Sequence, residues 1–89
     1  QQIIRQPWRG GKRARENDVK TLGEAIKTRR IALGMTQHGL GQVAGYGDNA
    51  RATISRIESG DRSPSLGSLL DIADALGVKA SELLAEAGL

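Results

Sequence analysis

Two arginines, Arg51 and Arg56, are the side chains best placed for chemistry in this sequence. They lie in a segment whose isoleucines follow a helical period, which turns the arginines to the side opposite the core. The outward face of this predicted helix consists of Arg51, Ala52, Ser55 and Arg56. Arginine on an exposed helix is often simply solvated, but the small residues between these two let the helix approach another surface closely. The pattern therefore favours recognition of an anionic surface.

Catalysis and metal binding are not indicated. His38 is the only histidine and cysteine is absent, so a metal site would depend on carboxylates that lack ligand spacing. No serine has a base in a triad arrangement, and the acidic residues near the C-terminus are typical of a solvated face. The glycine-rich segment 39–45 lacks the preceding strand of a dinucleotide-binding motif. We therefore predict that the protein is not an enzyme and has no cofactor or metal.

Charge is unevenly distributed along the 89 residues. Residues 1–20 carry six basic and two acidic side chains, whereas residues 63–89 carry one basic and four acidic ones. A basic arm of this kind either binds a polyanion or serves as a solvated tail. The length fits one small domain, whose core must be aliphatic because there is no Phe. No apolar run approaches the ~18 residues of a membrane span, so no membrane partner is predicted.

Five short helices are predicted from capping residues and apolar periods. Residues 1–20 show no sustained period, which predicts a flexible basic arm, followed by a helical domain over residues 21–89. Thr21-Leu-Gly-Glu24 is a capping box that predicts the start of the first helix, and Gly34 is placed to end it. Later helices are predicted to follow caps at Thr36, at Asp48 or Asn49, and at Ser65, with a fifth helix near the C-terminus.

The apolar spacing also predicts the core. Ile54 and Ile57 are expected to hold the third helix inward. The second helix is predicted to bury Leu40, Val43 and Ala44, and the fourth to bury Leu66, Leu69, Leu70, Ile72, Ala73 and Leu76.

Three residues inside these helices require a neighbour. Gly39 and Gly41 each cost roughly 1 kcal/mol relative to alanine in a helix interior, so a close approach by another helix is expected there. Glu58 falls on the packed third helix and needs a cation, for which Arg29 and Arg30 of the first helix are the candidates.

Seven short motifs stand in a characteristic order. They are Leu22-Gly-Glu-Ala-Ile26, Arg30-Ile-Ala-Leu-Gly-Met-Thr-Gln37, Ala44-Gly45, Thr53-Ile-Ser-Arg-Ile-Glu-Ser-Gly60, Pro64-Ser-Leu66, Leu70-Asp-Ile-Ala-Asp-Ala-Leu-Gly-Val78 and Ser81-Glu-Leu-Leu84. With this order and spacing, residues 22–84 resemble the lambda-repressor/Cro-type helix-turn-helix domain of the Xre family. The resemblance implies a compact all-α domain of five helices whose third helix enters the major groove. Residues 46–52 make the turn before that helix longer than the family pattern.

The resemblance also implies roles for individual residues. The implied DNA contacts are Arg51, Ala52, Ser55 and Arg56 at bases, Thr36 and Gln37 at the start of the second helix, and Ser59 and Arg62 after the third. The basic arm lies outside the family core, and DNA contacts from its Arg9, Lys12, Arg13 and Arg15 are a separate hypothesis. Each reading arginine can donate two hydrogen bonds to guanine O6 and N7, and the arm suits a narrow minor groove. Arg30 and Glu58 match a buried ion pair between the first and third helices.

Two functions follow as alternatives. The first is a sequence-specific regulator of transcription, a repressor that binds double-stranded DNA as a homodimer in the cytoplasm, at a bacterial or phage nucleoid. Its dimer interface would include Val78, Leu83 and Leu84. The second is an antitoxin-type adaptor that holds a protein partner such as a toxin, with DNA binding for autoregulation. That partner would be held by the acidic helices or by the apolar arm residues Ile3, Ile4 and Trp8.

Overall fold

The computed structural model describes residues 11–89, with side chains from residue 16 onward, and this part of the chain is all-helical. Its helices are α1 (Gly11–Ala32), α2 (Gln37–Val43), α3 (Ala50–Ser59), α4 (Leu66–Leu76) and α5 (Ala80–Glu86), with a 3₁₀ turn at Gly47–Asn49 before α3. The predicted five-helix all-α class is confirmed. Among the described helices, none has the length and apolar character needed to cross a bilayer.

Helix α1 begins at Gly11, ten residues before the predicted start. The capping box at Thr21 was wrong, because the Thr21 hydroxyl donates to the Asp18 carbonyl 3.0 Å away, inside the helix. This i to i−3 bond is a common way for threonine to satisfy its hydroxyl in a helix. After Gly11, the residues up to Lys20 are mostly good helix formers, which favours continuation of the helix, and among residues 16–20 only Val19 is half-buried.

Most of the predicted helix ends are confirmed. Thr36 accepts from the Gly39 amide at 2.8 Å, and Ser65 accepts from the Ser68 amide at 3.1 Å. The glycines that end α1, α3 and α4 are left-handed, with φ of 72° at Gly34, 85° at Gly60 and 74° at Gly77. The cap of α3 differs from the prediction. Asn49 occupies the N-cap position, but its side chain makes no capping hydrogen bond.

The core lies where helices α1 to α5 face one another. Its fully buried large side chains are Ile26, Leu40, Ile54, Ile57, Ile72 and Leu83. Leu69, Ala73 and Leu76 are buried as predicted.

Three side chains predicted to be buried are instead exposed: Val43 by 65%, Leu66 by 72% and Leu70 by 47%. Among the described elements, α4 packs mainly on α2 and α5, so one face of α4 is covered and the Leu66–Leu70 stripe is left outside. Leu83 lies fully buried in the core, so its predicted place in a dimer interface was wrong.

Two glycines mark close helix crossings. A methyl group on Gly41 would lie 2.5 Å from the Ala50 Cβ, so the predicted close approach is confirmed there. A methyl group on Gly39 would meet only the hydroxyl of its own cap, Thr36, so no second helix explains that glycine. Sequence reasoning missed Gly23, where a methyl group would lie 2.3 Å from the Ile57 carbonyl oxygen.

Helices α1 and α5 are joined at the surface by Arg29 and Glu86. The Arg29 Nε lies 3.1 and 3.0 Å from the two Glu86 carboxylate oxygens, and its Nη2 also donates to Oε2. These hydrogen bonds lower the pKa of Glu86. A carboxyl group with a lowered folded-state pKa stabilises the fold above its unfolded pKa, and this contribution is lost as pH falls through the folded value.

We therefore expect Glu86→Gln to lower the urea midpoint slightly at pH 7 and to lower it less at about pH 3, because protonation of the wild-type carboxyl weakens the ion pair as pH falls. The small size follows from solvent exposure of the pair. Urea unfolding at both pH values measures the difference. Glu24→Gln on α1 makes the same change of charge and is the control. An equal decrease at both pH values would show that the ion pair is not its cause.

Candidate nucleic-acid interface

Helix α3 has one buried side and one exposed side. Thr53, Ile54, Ile57 and Glu58 are buried against the rest of the domain. The four residues of the outward face, Arg51, Ala52, Ser55 and Arg56, are all exposed. The apolar period therefore predicted the orientation of this helix correctly. Burial of Ile54 and Ile57 in the core turns the opposite side of the helix to solvent.

Two shallow grooves run along the outward face. The first, the arginine groove, is lined by Asn49, Ala52, Thr53, Arg56 and Arg62. The second, the aspartate groove, is lined by Asp48, Arg51, Ala52 and Ser55. Ala52 lies in both, and its small side chain keeps the space between the arginines open. Asp48 and Asn49 were considered only as caps from the sequence, yet the structure brings them to the rim of this face.

A buried ion pair holds α3 against α1. The Arg30 Nε lies 2.6 Å from Glu58 Oε2, and the Arg30 Nη2 donates to Oε1 at 3.1 Å. The Arg30 side chain is 11% exposed and that of Glu58 is 3% exposed. Arg30 also donates through Nη1 to the Met35 carbonyl at 2.8 Å, which ties the pair to the loop before α2. Of the two candidate partners, Arg30 therefore pairs with Glu58 and Arg29 pairs with Glu86.

Gln37 extends this network to α2. Its amide nitrogen donates to Glu58 Oε1 at 3.1 Å, so the half-buried side chain is directed towards the ion pair. An amide nitrogen carries two hydrogens, and only one is used in this bond. The second is the donor with which Gln37 can make the phosphate contact implied by the resemblance.

The remaining predicted contacts flank the outward face. Thr36 is exposed at the N-terminus of α2, and its hydroxyl oxygen is occupied by the capping bond while the proton is free to be donated. The Ser59 hydroxyl donates to the Arg56 carbonyl at 3.1 Å. The Arg62 amide bonds the same carbonyl at 3.2 Å, which folds Arg62 back beside Arg56.

The predicted arm is helical where the structure describes it. Lys12, Arg13 and Arg15 lie on the first turns of α1, whereas Arg9, Ile3, Ile4 and Trp8 lie outside the described residues. Further along α1, a methyl group on Gly60 would lie 3.1 Å from the Lys20 Cα. The part of α1 that follows the three basic residues thus passes beside Gly60, at the C-terminus of α3.

The lengthened turn before α3 is ordered by backbone and side-chain bonds. The Tyr46 amide donates to the Gly41 carbonyl at 2.9 Å, and the Asn49 amide donates to the Tyr46 carbonyl at 3.2 Å. Gly45 and Gly47 have φ of 94° and 60°, a left-handed conformation that glycine adopts at little cost. The glycines signal a turn in the sequence, but they do not reveal that it ends in a 3₁₀ segment continuous with α3.

The geometry agrees with a comparison against known families. A model of the helix-turn-helix family matches residues 26–83, about two thirds of the chain. The matched region begins within α1 and contains α2, the turn and α3, together with the Arg30–Glu58 pair. No curated protein matches the chain.

Proposed function

Because the chain belongs to the lambda-repressor-type helix-turn-helix family, whose members are DNA-binding regulators, we propose that it is a sequence-specific repressor of transcription. It binds double-stranded DNA as a homodimer, performs no catalysis and acts in the cytoplasm at a bacterial or phage nucleoid. The observation that supports this most directly is the outward face of α3, where two arginines flank small side chains on a helix fixed from behind.

In this proposal α3 lies in the major groove. Arg51 and Arg56 donate to guanine edges, while Ala52 and Ser55 allow close approach to the bases. Thr36, Gln37, Ser59 and Arg62 contact the phosphate backbone on either side. Such contacts position the helix without specifying sequence. Arg9, Lys12, Arg13 and Arg15 add further contacts to the duplex, and their positive charge makes affinity fall as salt rises.

The homodimer needs an interface other than Leu83, which is fully buried. The predicted interface residues Val78 and Leu84 are only half-buried and stay candidates, and the C-terminal half also exposes apolar side chains at Leu66, Leu70 and Leu89 that a second copy could cover. In a dimer with two-fold symmetry, the bound site would be a near-palindrome whose half-sites are about 10 bp apart.

Selection of bound sequences from random duplex DNA tests the proposal. Enrichment of a two-fold symmetric site supports a dimeric, sequence-specific protein. If no sequence is enriched over the starting pool, specific DNA binding is refuted.

Arg56→Ala should then lower affinity for the selected site by about 5- to 150-fold, the range for one lost bidentate guanine contact. Affinity for random duplex should change much less. Arg56→Lys is the matched control, because it keeps the charge but loses the planar fork that fits guanine. We expect it to retain nonspecific binding and lose specific binding. Both affinities can be measured by fluorescence anisotropy, and an equal loss on both duplexes would contradict base reading by Arg56.

A further inference from the structure

The 3₁₀ turn at Gly47–Asn49 is fixed in space relative to α2 and α3. The Gln42 side-chain amide donates to the Gly47 carbonyl at 2.9 Å, in addition to the backbone bonds at each end of the turn. Ala50, the next residue, is fully buried against Gly41. Side chains on this turn therefore have a defined position at the N-terminal end of the outward face.

Asn49 shares the arginine groove with Arg56. The two residues are separated by seven positions, two helical turns, so they lie on the same side of α3 with Ala52 between them. Asn49 is exposed, and its backbone has φ −96° and ψ 11°, away from the extended conformation typical of an N-cap. Its side chain makes no capping hydrogen bond and instead lines the arginine groove.

We propose that Asn49 reads an adenine in the major groove in which Arg56 reads a guanine. A carboxamide matches adenine because its oxygen accepts from N6 and its nitrogen donates to N7, whereas guanine offers only acceptors on this edge. The seven-residue separation corresponds to about 10 Å along a helix, or about three base-pair steps. The lengthened turn thus adds a base contact at the leading end of α3. This inference rests on the proposed DNA-binding function.

The competing role for Asn49 is a contact to phosphate. A phosphate contact lowers affinity for all sequences alike when it is removed, whereas a base contact changes the preference at one position of the site. The base preference is therefore the quantity that separates the two roles. A change in net charge between variants alters affinity for all sequences alike, so it does not alter the base preference.

The test compares site selection by the full chain with selection by Asn49→Ala and Asn49→Asp. Alanine removes the carboxamide at unchanged charge. Aspartate keeps the size of the side chain and can only accept hydrogen bonds, so it should turn the preference towards cytosine, whose N4 donates. Glu24→Gln, at an exposed position of α1 outside the outward face of α3, is the control that should leave the adenine preference intact. Thermal unfolding verifies that every variant is folded.

For the wild type we expect an adenine about three base pairs from the guanine whose preference is lost in Arg56→Ala. Both Asn49 variants should reduce the adenine preference by about 5- to 150-fold on duplexes that differ only at that base pair. Two outcomes would overturn this inference while leaving DNA binding established. One is that Asn49→Ala retains the adenine preference. The other is that Asn49→Ala lowers affinity equally for duplexes carrying each of the four bases at that position. A wild type that enriches no sequence would overturn the proposed function and this inference together.

Discussion

Arg30→Met should lower the free energy of unfolding by about 3–5 kcal/mol, the loss expected when one partner of a buried ion pair is removed. The substitution keeps much of the apolar volume of the side chain. Among the described residues, it leaves the Glu58 carboxylate, 3% exposed, with the Gln37 amide as its hydrogen-bond donor. The Met35 carbonyl loses its donor as well. Urea unfolding monitored by circular dichroism measures the loss.

The double variant Arg30→Met/Glu58→Leu should recover at least half of that loss. Replacing both members of a buried pair with apolar side chains removes the unpaired charge and is often close to neutral. Recovery is incomplete because Gln37 and the Met35 carbonyl still lose a partner. The coupling between the two sites follows from a double-mutant cycle.

Arg29→Met is the matched control. Arg29 lies next to Arg30 on the same helix, but its partner Glu86 is at the surface, where solvent screens the interaction. We expect Arg29→Met to lower the free energy of unfolding by only a small fraction of the decrease in Arg30→Met. If the two single variants are equally stable, burial of the Arg30–Glu58 pair is not the reason why removing Arg30 lowers the free energy of unfolding.

The features that could be predicted from sequence are those decided by near neighbours along the chain. The caps at Thr36 and Ser65 depend on residues within three positions, and the left-handed ends depend on single glycines. The orientation of α3 follows from Ile54 and Ile57 alone. The need for a cation beside Glu58 left Arg29 and Arg30 as the two candidate partners, and the resemblance to a known family favoured Arg30.

The features that could not be predicted depend on what covers a given surface. Leu66 and Leu70 fit a buried stripe by spacing, but whether that stripe is covered depends on where α2 and α5 lie. Likewise, the rim position of Asn49 results from a 3₁₀ segment fixed by α2, which no local pattern encodes. At Thr21, a sequence that matches a capping box lies inside a longer helix, because the residues before it are mostly good helix formers.

Gly23→Ala should lower the free energy of unfolding by about 1–3 kcal/mol, although alanine is the better helix former by roughly 1 kcal/mol. A methyl group there would lie 2.3 Å from the Ile57 carbonyl oxygen and 2.7 Å from that of Glu58. Both obstacles are backbone atoms of α3, so no side chain can rotate away to make room. The helices must separate, and apolar contacts between them are lost.

The separation would also act on the ion pair, because Gly23, Ile26 and Arg30 lie at positions i, i+3 and i+7 of α1 and share the face that packs on α3. Gly67→Ala on α4 is the control, since the nearest atom to its added methyl group is the Ser65 hydroxyl oxygen at 4.0 Å. That variant should be as stable as the wild type or more stable by up to about 1 kcal/mol. Urea unfolding measures the free energy of unfolding of both variants and of the wild type. If Gly23→Ala is stabilised like Gly67→Ala, then α1 and α3 do not approach as closely as described, and helix propensity alone governs both sites.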